Sequence, residues 1–186
     1  RLVGSEMCIR DRDKGWKTWL CDKSAYGHTD NAPTVVDIPH NWDDYYGYRQ
    51  LTHGNLHGTA MYEKTFTLDN SQFPISDSSF GKRYFLRFEG VGTYATVTLN
   101  GKDFGRHPVG RTTLTLDVTE ALKPGENRLV VKAEHPEMIA DMPWVCGGCS
   151  SEWGFSEGSQ PLGIFRPVVL EACLLYTSPS PRDGAP

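Results

Sequence analysis

Four strand-like runs within residues 83–135 decide the fold. They read RYFLRFEG over 83–90, VGTYATVTLNG over 91–101, TTLTLD over 112–117 and NRLVVKA over 127–133. Polar and apolar side chains alternate along them, which is typical of half-buried β-strands and not of helices. Asn100-Gly101, which precedes a short polar piece, is the strongest short hairpin signal, because both residues accept the positive φ of a type I′ turn.

The alternation within these runs predicts which side chains face the core. Tyr84, Leu86 and Phe88 share one face of the first run, since side chains two positions apart in a strand point the same way. Leu129 and Val131 share one face of the last run. We therefore predict that these apolar faces form the core of the domain.

Further strands are predicted on both sides of this block. Strand-like runs occupy residues 16–21, 34–38, 60–68 and 163–171. Pro167 predicts an edge position or a bulge for the last of them, because proline cannot donate to a sheet. Residues 117–122 predict a single helical turn capped by Asp117. Seven or eight strands without a long helix are typical of an all-β sandwich or jelly roll.

Two irregular stretches, residues 40–58 and 134–162, show neither strand nor helix periodicity and read as loops. A loop as long as 134–162 inside a compact domain is usually functional or disordered, and its aromatic content argues against disorder. Cys146 and Cys149 form one C-x-x-C pair, which is only half of a zinc site. A disulfide and two free thiols remain as alternatives, and we expect neither a metal nor a cofactor.

Composition excludes some classes of partner. The formal net charge is −4 and the pI is about 5.9, and no basic stripe is available to neutralise phosphates, so we expect no nucleic-acid binding. No apolar run approaches transmembrane length, so we expect no membrane partner. Hydrophobic residues make up 38% of the chain, which indicates a globular protein.

Both ends of the chain differ from the rest. Residues 1–11 and 173–186 resemble the translated sequencing-adaptor read-through found at the ends of open reading frames from environmental DNA. We therefore expect a native domain over residues 12–172, cut from a longer protein, between two non-native ends. The cysteines in those ends then carry no redox or disulfide argument.

An ordered set of motifs resembles a known family. The set is IPHNW over 38–42, YEKTF over 62–66, YFLRFEGVGTYATVTLNGKDFG over 84–105, LKPGENRLVV over 122–131 and GIFRPV over 163–168. In this order the motifs resemble the N-terminal sugar-binding domain of glycoside hydrolase family 2, which includes β-galactosidases, β-glucuronidases and β-mannosidases. The resemblance covers nearly all of residues 16–172. It implies a galactose-binding-like jelly-roll β-sandwich joined to an immunoglobulin-like domain and a (β/α)₈ barrel.

The resemblance also implies a chemistry for the parent protein. Members of this family hydrolyse β-glycosides with retention through two glutamates on the barrel. A barrel alone needs about 250 residues, so we expect this chain to lack catalytic residues and to be inactive alone. Its expected partners are a carbohydrate and the missing immunoglobulin-like and barrel domains. The family likeness suggests export in a bacterium, to the periplasm or the medium.

In this family the domain contributes loops that close the sugar site. Asn41 matches an asparagine that touches the sugar in β-galactosidases, and Glu157 lies six residues before the Gly-Ile-Phe-Arg motif, where several members have a sugar-contacting aspartate. Trp42, Asp43 and Trp153 are further candidates, since rings can stack on sugars and carboxylates accept hydrogen bonds from hydroxyls. The alternatives are loop capping for Asn41, packing for the tryptophans and solvated charges for the carboxylates.

Two other functions stay open at this point. One is a free-standing carbohydrate-binding module of the same jelly-roll type, and the other is a structural or adhesion β-sandwich without a sugar role. The stretch 134–162 and the Gly-Ile-Phe-Arg-Pro motif favour the family 2 domain, because a free module has no barrel for such a loop to reach. Arg166 in that motif is expected to be structural and to pair with a carboxylate.

Overall fold

The computed structural model describes residues 8–11, 13–21, 32–43, 45–46, 49–50, 56–68, 82–136 and 161–174. The strands are β1 (Cys8–Asp11), β2 (Trp16–Leu20), β3 (Thr34–Val36), β4 (Tyr45–Tyr46), β5 (Arg49–Gln50), β6 (Gly58–Leu68), β7 (Lys82–Phe88), β8 (Val91–Leu99), β9 (Lys102–Gly110), β10 (Leu114–Asp117), β11 (Gly125–His135) and β12 (Val168–Leu174). No helix occurs in these residues, and none of them forms a segment that could span a membrane as a helix.

Two antiparallel sheets form a sandwich. The larger has the strand order β3-β2-β6-β11-β8-β9, the smaller has the order β1-β12-β7-β10, and β4 with β5 makes a separate ribbon. Side chains from both sheets meet in one hydrophobic core, including Trp16 and Tyr62 from the larger sheet and Leu86 and Leu170 from the smaller. The prediction of an all-β sandwich is confirmed.

The strand β11 is the centre of the larger sheet. It pairs with β6 along its whole length, from Gly125 opposite Leu68 to His135 opposite Gly58, and with β8 on its other side. Every second side chain from Leu129 onward is fully buried. This confirms the predicted core face, because a strand that is covered on one side must alternate in burial.

The predicted hairpin at Asn100-Gly101 is confirmed, with φ values of 52° and 86°. The polar piece after it, however, is a nine-residue strand that the sequence pattern missed. This strand, β9, is the edge of the larger sheet, and most of its side chains are exposed up to Val109. Because little of β9 is buried on either face, its sequence shows no apolar alternation. Pro108 is tolerated in β9 because an edge strand leaves one row of donors unpaired.

The last predicted strand begins later than expected. Residues 163–167 are irregular apart from a bridge between Gly163 and Gly92, and β12 starts only at Val168. Pro167 therefore precedes the strand, and the prediction of an edge position was wrong because β12 lies between β1 and β7. The single turn at 117–122 is confirmed: Asp117 Oδ1 accepts the Thr119 N–H at 3.1 Å, and Leu122 N–H bonds Val118 O at 3.1 Å.

Strand pairing crosses both expected domain boundaries. Residues 8–11 lack strand alternation in the sequence but form β1, which pairs with Val169–Ala172, and β12 continues to Leu174. Pairing does not reveal the origin of a segment, so the non-native ends stay a prediction. Within the stretch 40–58, which we predicted to be a loop, the structure adds the ribbon of β4 and β5.

Candidate functional site

The described residues that flank two segments of the chain lie at one end of the sandwich. The register places Gly58 opposite His135 at this end of the larger sheet. Residues 44–55 lie between Asp43 and Leu56 in the chain, and residues 137–160 follow Pro136 directly. We call the residues 40–43, 56–58, 135–136 and 161–163 the site end. The site end contains the described end residues of both irregular stretches, 40–58 and 134–162.

Backbone pairing places Asn41 and Trp42 at the site end. The N–H of His40 donates to Ile164 O at 2.8 Å, and the N–H of Trp42 donates to Leu162 O at 2.9 Å. Gly163 lies between these two bonds, and an added Cβ there would come within 2.9 Å of Asn41 Cα. The Ile-Pro-His-Asn-Trp and Gly-Ile-Phe-Arg motifs are therefore in direct contact, although more than 100 positions separate them in the chain.

The side chain of Asn41 forms a local turn. Its Oδ1 accepts the backbone N–H of Asp43 at 3.1 Å, which is the Asx-turn geometry that asparagine favours. The side chain is half-buried. The loop-capping alternative is therefore present in the structure, and it engages the amide oxygen while the NH₂ group carries the two donors.

Trp42 is anchored from inside the sandwich. Its Nε1–H donates to Oγ1 of Thr18 at 3.2 Å, and Thr18 is fully buried. The ring packs on the hydrophobic core and meets the His40 ring edge to face, with the ring centroids 5.6 Å apart. Core packing thus fixes the orientation of this indole, and its half-buried ring keeps part of its surface exposed.

Both carboxylate oxygens of Asp43 accept backbone hydrogen bonds. Oδ1 accepts the Leu56 N–H at 2.8 Å, and Oδ2 accepts the Leu162 N–H at 3.0 Å. Asp43 is half-buried, and it contacts the end of one loop segment and the end of the other. The alternative of a solvated charge is therefore wrong, because backbone hydrogen bonds engage both oxygens. Sugar contact by Asp43 stays a prediction.

A half-buried histidine and a buried tyrosine form a hydrogen-bonded pair beside these residues. His40 Nδ1 and the Tyr62 hydroxyl lie 2.8 Å apart in a hydrogen bond, and the Tyr62 side chain is fully buried. Burial raises the pKa of the Tyr62 phenol and lowers the pKa of His40. Both groups are therefore neutral near pH 7, which allows the pair to be buried without an unpaired charge.

A histidine pair at the site end was missed in the sequence. The rings of His57 and His135 have centroids 4.9 Å apart, and Thr93 Oγ1 lies 3.1 Å from His135 Nδ1. His135 is fully buried, and its Nε2 has no hydrogen-bond partner. Burial, with a smaller contribution from the charge of His57, lowers the pKa of His135 to about 3. The alternation of β11 could have revealed it, because position 135 continues the inward face.

The sequence of this sandwich matches a known protein family. Residues 42–142 match the glycosyl hydrolase 2 galactose-binding domain-like family. The chain belongs to this family. The resemblance noted in the sequence and the galactose-binding-like fold are thereby confirmed.

Individual relatives agree with the family assignment. A β-glucuronidase of Bacteroides fragilis is 32% identical over 155 residues, which cover 81% of this chain and 19% of that protein. A β-galactosidase of Bacteroides ovatus is 30% identical over 137 residues, covering 68% and 15%. The solved structure of a β-glucuronidase from glycoside hydrolase family 2 superposes with a TM-score of 0.65 at 26% identity, covering 92% and 18%. This chain thus spans between 15% and 19% of the length of these three relatives.

Several predicted residues fall elsewhere. Trp153, Glu157, Cys146 and Cys149 lie outside the described residues of the family 2 domain. Within the described ranges no three histidine, cysteine or acidic side chains come together as a group that could hold a metal ion. Arg166 was expected to pair with a carboxylate, but its Nη1 donates to the backbone carbonyl of Arg111 at 3.2 Å.

The buried His135 predicts how the stability of the family 2 domain depends on pH. Its pKa is about 3 in the folded state and about 6.5 when unfolded. Between these values only the unfolded state binds the proton, so the free energy of unfolding falls as the pH falls, by roughly 1 kcal/mol per pH unit. Urea denaturation at several pH values between about 5 and 6.5 measures this slope above the range where carboxylates titrate.

The matched variant is His135→Gln, which keeps a polar side chain that does not titrate. Its slope is expected to be shallower than that of the wild type, while contributions from His40 remain in both proteins. Equal slopes in the two proteins would show that His135 is protonated as easily in the folded state as in the unfolded one.

Proposed function

We propose that this domain supplies loops to the sugar site of a family 2 glycoside hydrolase whose catalytic barrel lies outside this chain. The observation that supports the proposal is that the described residues flanking 44–55 and 137–160 lie together at the site end. Asp43 bonds the ends of both segments there. Two segments that are rich in aromatic residues and adjoin this end in the chain are suited to complete a sugar site that a neighbouring domain begins.

Two of the proposed contacts, Asn41 and Trp42, lie in the site end, and the other two, Trp153 and Glu157, lie within residues 137–160. Asn41 would donate from its NH₂ group to a sugar oxygen, since its Oδ1 already accepts the Asp43 N–H. Glu157 would accept hydrogen bonds from sugar hydroxyls, as carboxylates do. Trp42 and Trp153 would form walls of the site. No residue of this chain acts as nucleophile or acid, because both glutamates of the retaining reaction belong to the barrel in this family.

The substrate proposed for the whole protein is a β-glycoside. Relatives that share this domain are named β-glucuronidase and β-galactosidase, so β-glucuronides and β-galactosides are the first substrates to test. The source gene tests the architecture. Extending the DNA past residue 172 should reveal an immunoglobulin-like domain and then a barrel with two catalytic glutamates, whereas a stop codon at that point would exclude the proposal.

In the full-length enzyme, Asn41→Asp should weaken substrate binding. The aspartate keeps an oxygen for the Asp43 N–H but replaces the donating NH₂ group by a second acceptor. Losing one hydrogen bond to the substrate corresponds to an increase in KM of about tenfold. Steady-state kinetics with p-nitrophenyl β-galactoside and β-glucuronide measure this change.

The control is Glu126→Ala, an exposed residue at the opposite end of β11. Its KM should equal that of the wild type. An unchanged KM in Asn41→Asp would assign Asn41 to loop capping alone.

A further inference from the structure

The carboxylate of Asp43 closes two separate segments of the chain. Its Oδ1 bond to the Leu56 N–H spans 13 positions and closes the base of residues 44–55. Its Oδ2 bond to the Leu162 N–H spans 119 positions and fixes the end of residues 137–160. One side chain therefore bonds a described residue beside each of the two segments.

Local contacts orient this carboxylate. The Asp43 N–H donates to Asn41 Oδ1 at 3.1 Å, and the neighbouring Trp42 N–H donates to Leu162 O at 2.9 Å. The turn and this backbone bond place the Asp43 side chain beside Leu162. The backbone of Asp43 is thus fixed by hydrogen bonds other than those that its own carboxylate accepts.

The chemistry of the site requires a carboxylate. Two backbone N–H groups converge on two oxygens, and both bonds are strengthened by the negative charge. An asparagine of the same shape has only one oxygen, so its NH₂ group would face one of the two N–H donors. The substitution Asp43→Asn therefore removes one bond, weakens the other and changes the volume very little.

We propose that Asp43 is a positioning residue that couples Leu56 to Leu162, so that these two residues, one beside each segment, are held together at the site end. The role in sugar binding rests on the proposed function. The coupling does not, because both hydrogen bonds form in the chain without a bound sugar. If Asp43 only contacted sugar, its substitution would not change the exchange of the Leu56 and Leu162 amides in the absence of ligand.

Residue-resolved hydrogen exchange by NMR on the full chain tests the proposal. In Asp43→Asn the Leu56 and Leu162 amides should both exchange at least about tenfold faster than in the wild type. The amides of Val131 and Ala133 in the central strand should keep their rates, because they bond within the sheet. Equal acceleration at all four amides would indicate general destabilisation, and unchanged rates at Leu56 or Leu162 would exclude the coupling.

The matched control is Asp103→Asn on the edge strand β9. Asp103 is also an aspartate that accepts a backbone N–H, from Gly105 at 2.8 Å, but it is exposed and makes a single local turn. This variant should leave exchange at Leu56 and Leu162 unchanged. An equal acceleration there would overturn a specific role for Asp43.

A measurement on the wild type keeps the proposal testable if Asp43→Asn does not fold. The amide proton shifts of Leu56 and Leu162 should move together with pH and share one midpoint, because both protons bond the same carboxylate. Different midpoints, or shifts that do not move, would overturn the proposal. Failure of the proposed function would appear separately, as a gene without a barrel or an unchanged KM in Asn41→Asp, and neither result affects these amides.

Discussion

Gly163→Ala is expected to destabilise the domain by about 3 kcal/mol or more. Gly163 has φ +143°, and a Cβ there would overlap the Tyr62 hydroxyl and lie 2.7 Å from His40 O. The backbone therefore suffers both strain and collision, and the carbonyl of His40 cannot move away without breaking the contact between the two motifs. Urea denaturation with linear extrapolation measures the change in the free energy of unfolding.

The matched control for backbone strain is Gly125→Ala. Gly125 also has a positive φ, +82°, but no atom lies within 4 Å of the position that its Cβ would occupy. Its loss of stability should be about 1 kcal/mol, which reflects the conformation alone. If the two variants lose the same stability, the close packing around Gly163 is not what requires glycine.

Leu86→Ala should destabilise the domain by about 2–5 kcal/mol, because it removes buried methyl groups and leaves a cavity. Leu86 is 1% exposed and lies between Leu116 and Leu170 in the smaller sheet. Neighbours fixed in a sheet cannot collapse fully into the space. The same denaturation experiment measures the loss, with Thr115→Ala, an exposed residue of β10, as a control that should stay within about 0.5 kcal/mol.

A near-neutral result for Leu86→Ala would mean that the inner face of β7 is assigned wrongly. Phe85 points to the opposite face and is only half-buried. Truncation of Phe85 should therefore cost less than truncation of Leu86, and the reverse order would place the core on the other side of the strand.

The sequence predicted the strands whose two faces differ in environment. The first run of the central block and the strand β11 alternate because one side of each is covered, and burial follows that alternation at Leu86 and Val131. The edge strand β9 escaped prediction because neither of its faces is covered over most of its length. Alternation reports contrast between faces, so strands without such contrast leave no periodic pattern.

The candidate site was predictable only in part. Asn41 and Trp42 were identified through the family motif, and the structure places them at the site end. The bonds from Asp43 to Leu56 and Leu162 could not be predicted, because backbone amides are the same in every residue and carry no sequence signal. Contacts of this kind follow from the path of the chain and not from the identity of either partner.

The pairing of β1 with β12 has a consequence for solubility. Residues 8–11 cover the outer edge of β12 by bonding along Val169–Ala172, so a segment that resembles foreign sequence shields one margin of the smaller sheet. A chain that begins at residue 12 would lack β1 and would expose the N–H and C=O groups along the edge of β12. Exposed edge strands of this kind pair with strands of other molecules and promote aggregation. Purification of a trimmed domain would therefore need a replacement strand or a polar substitution along that margin.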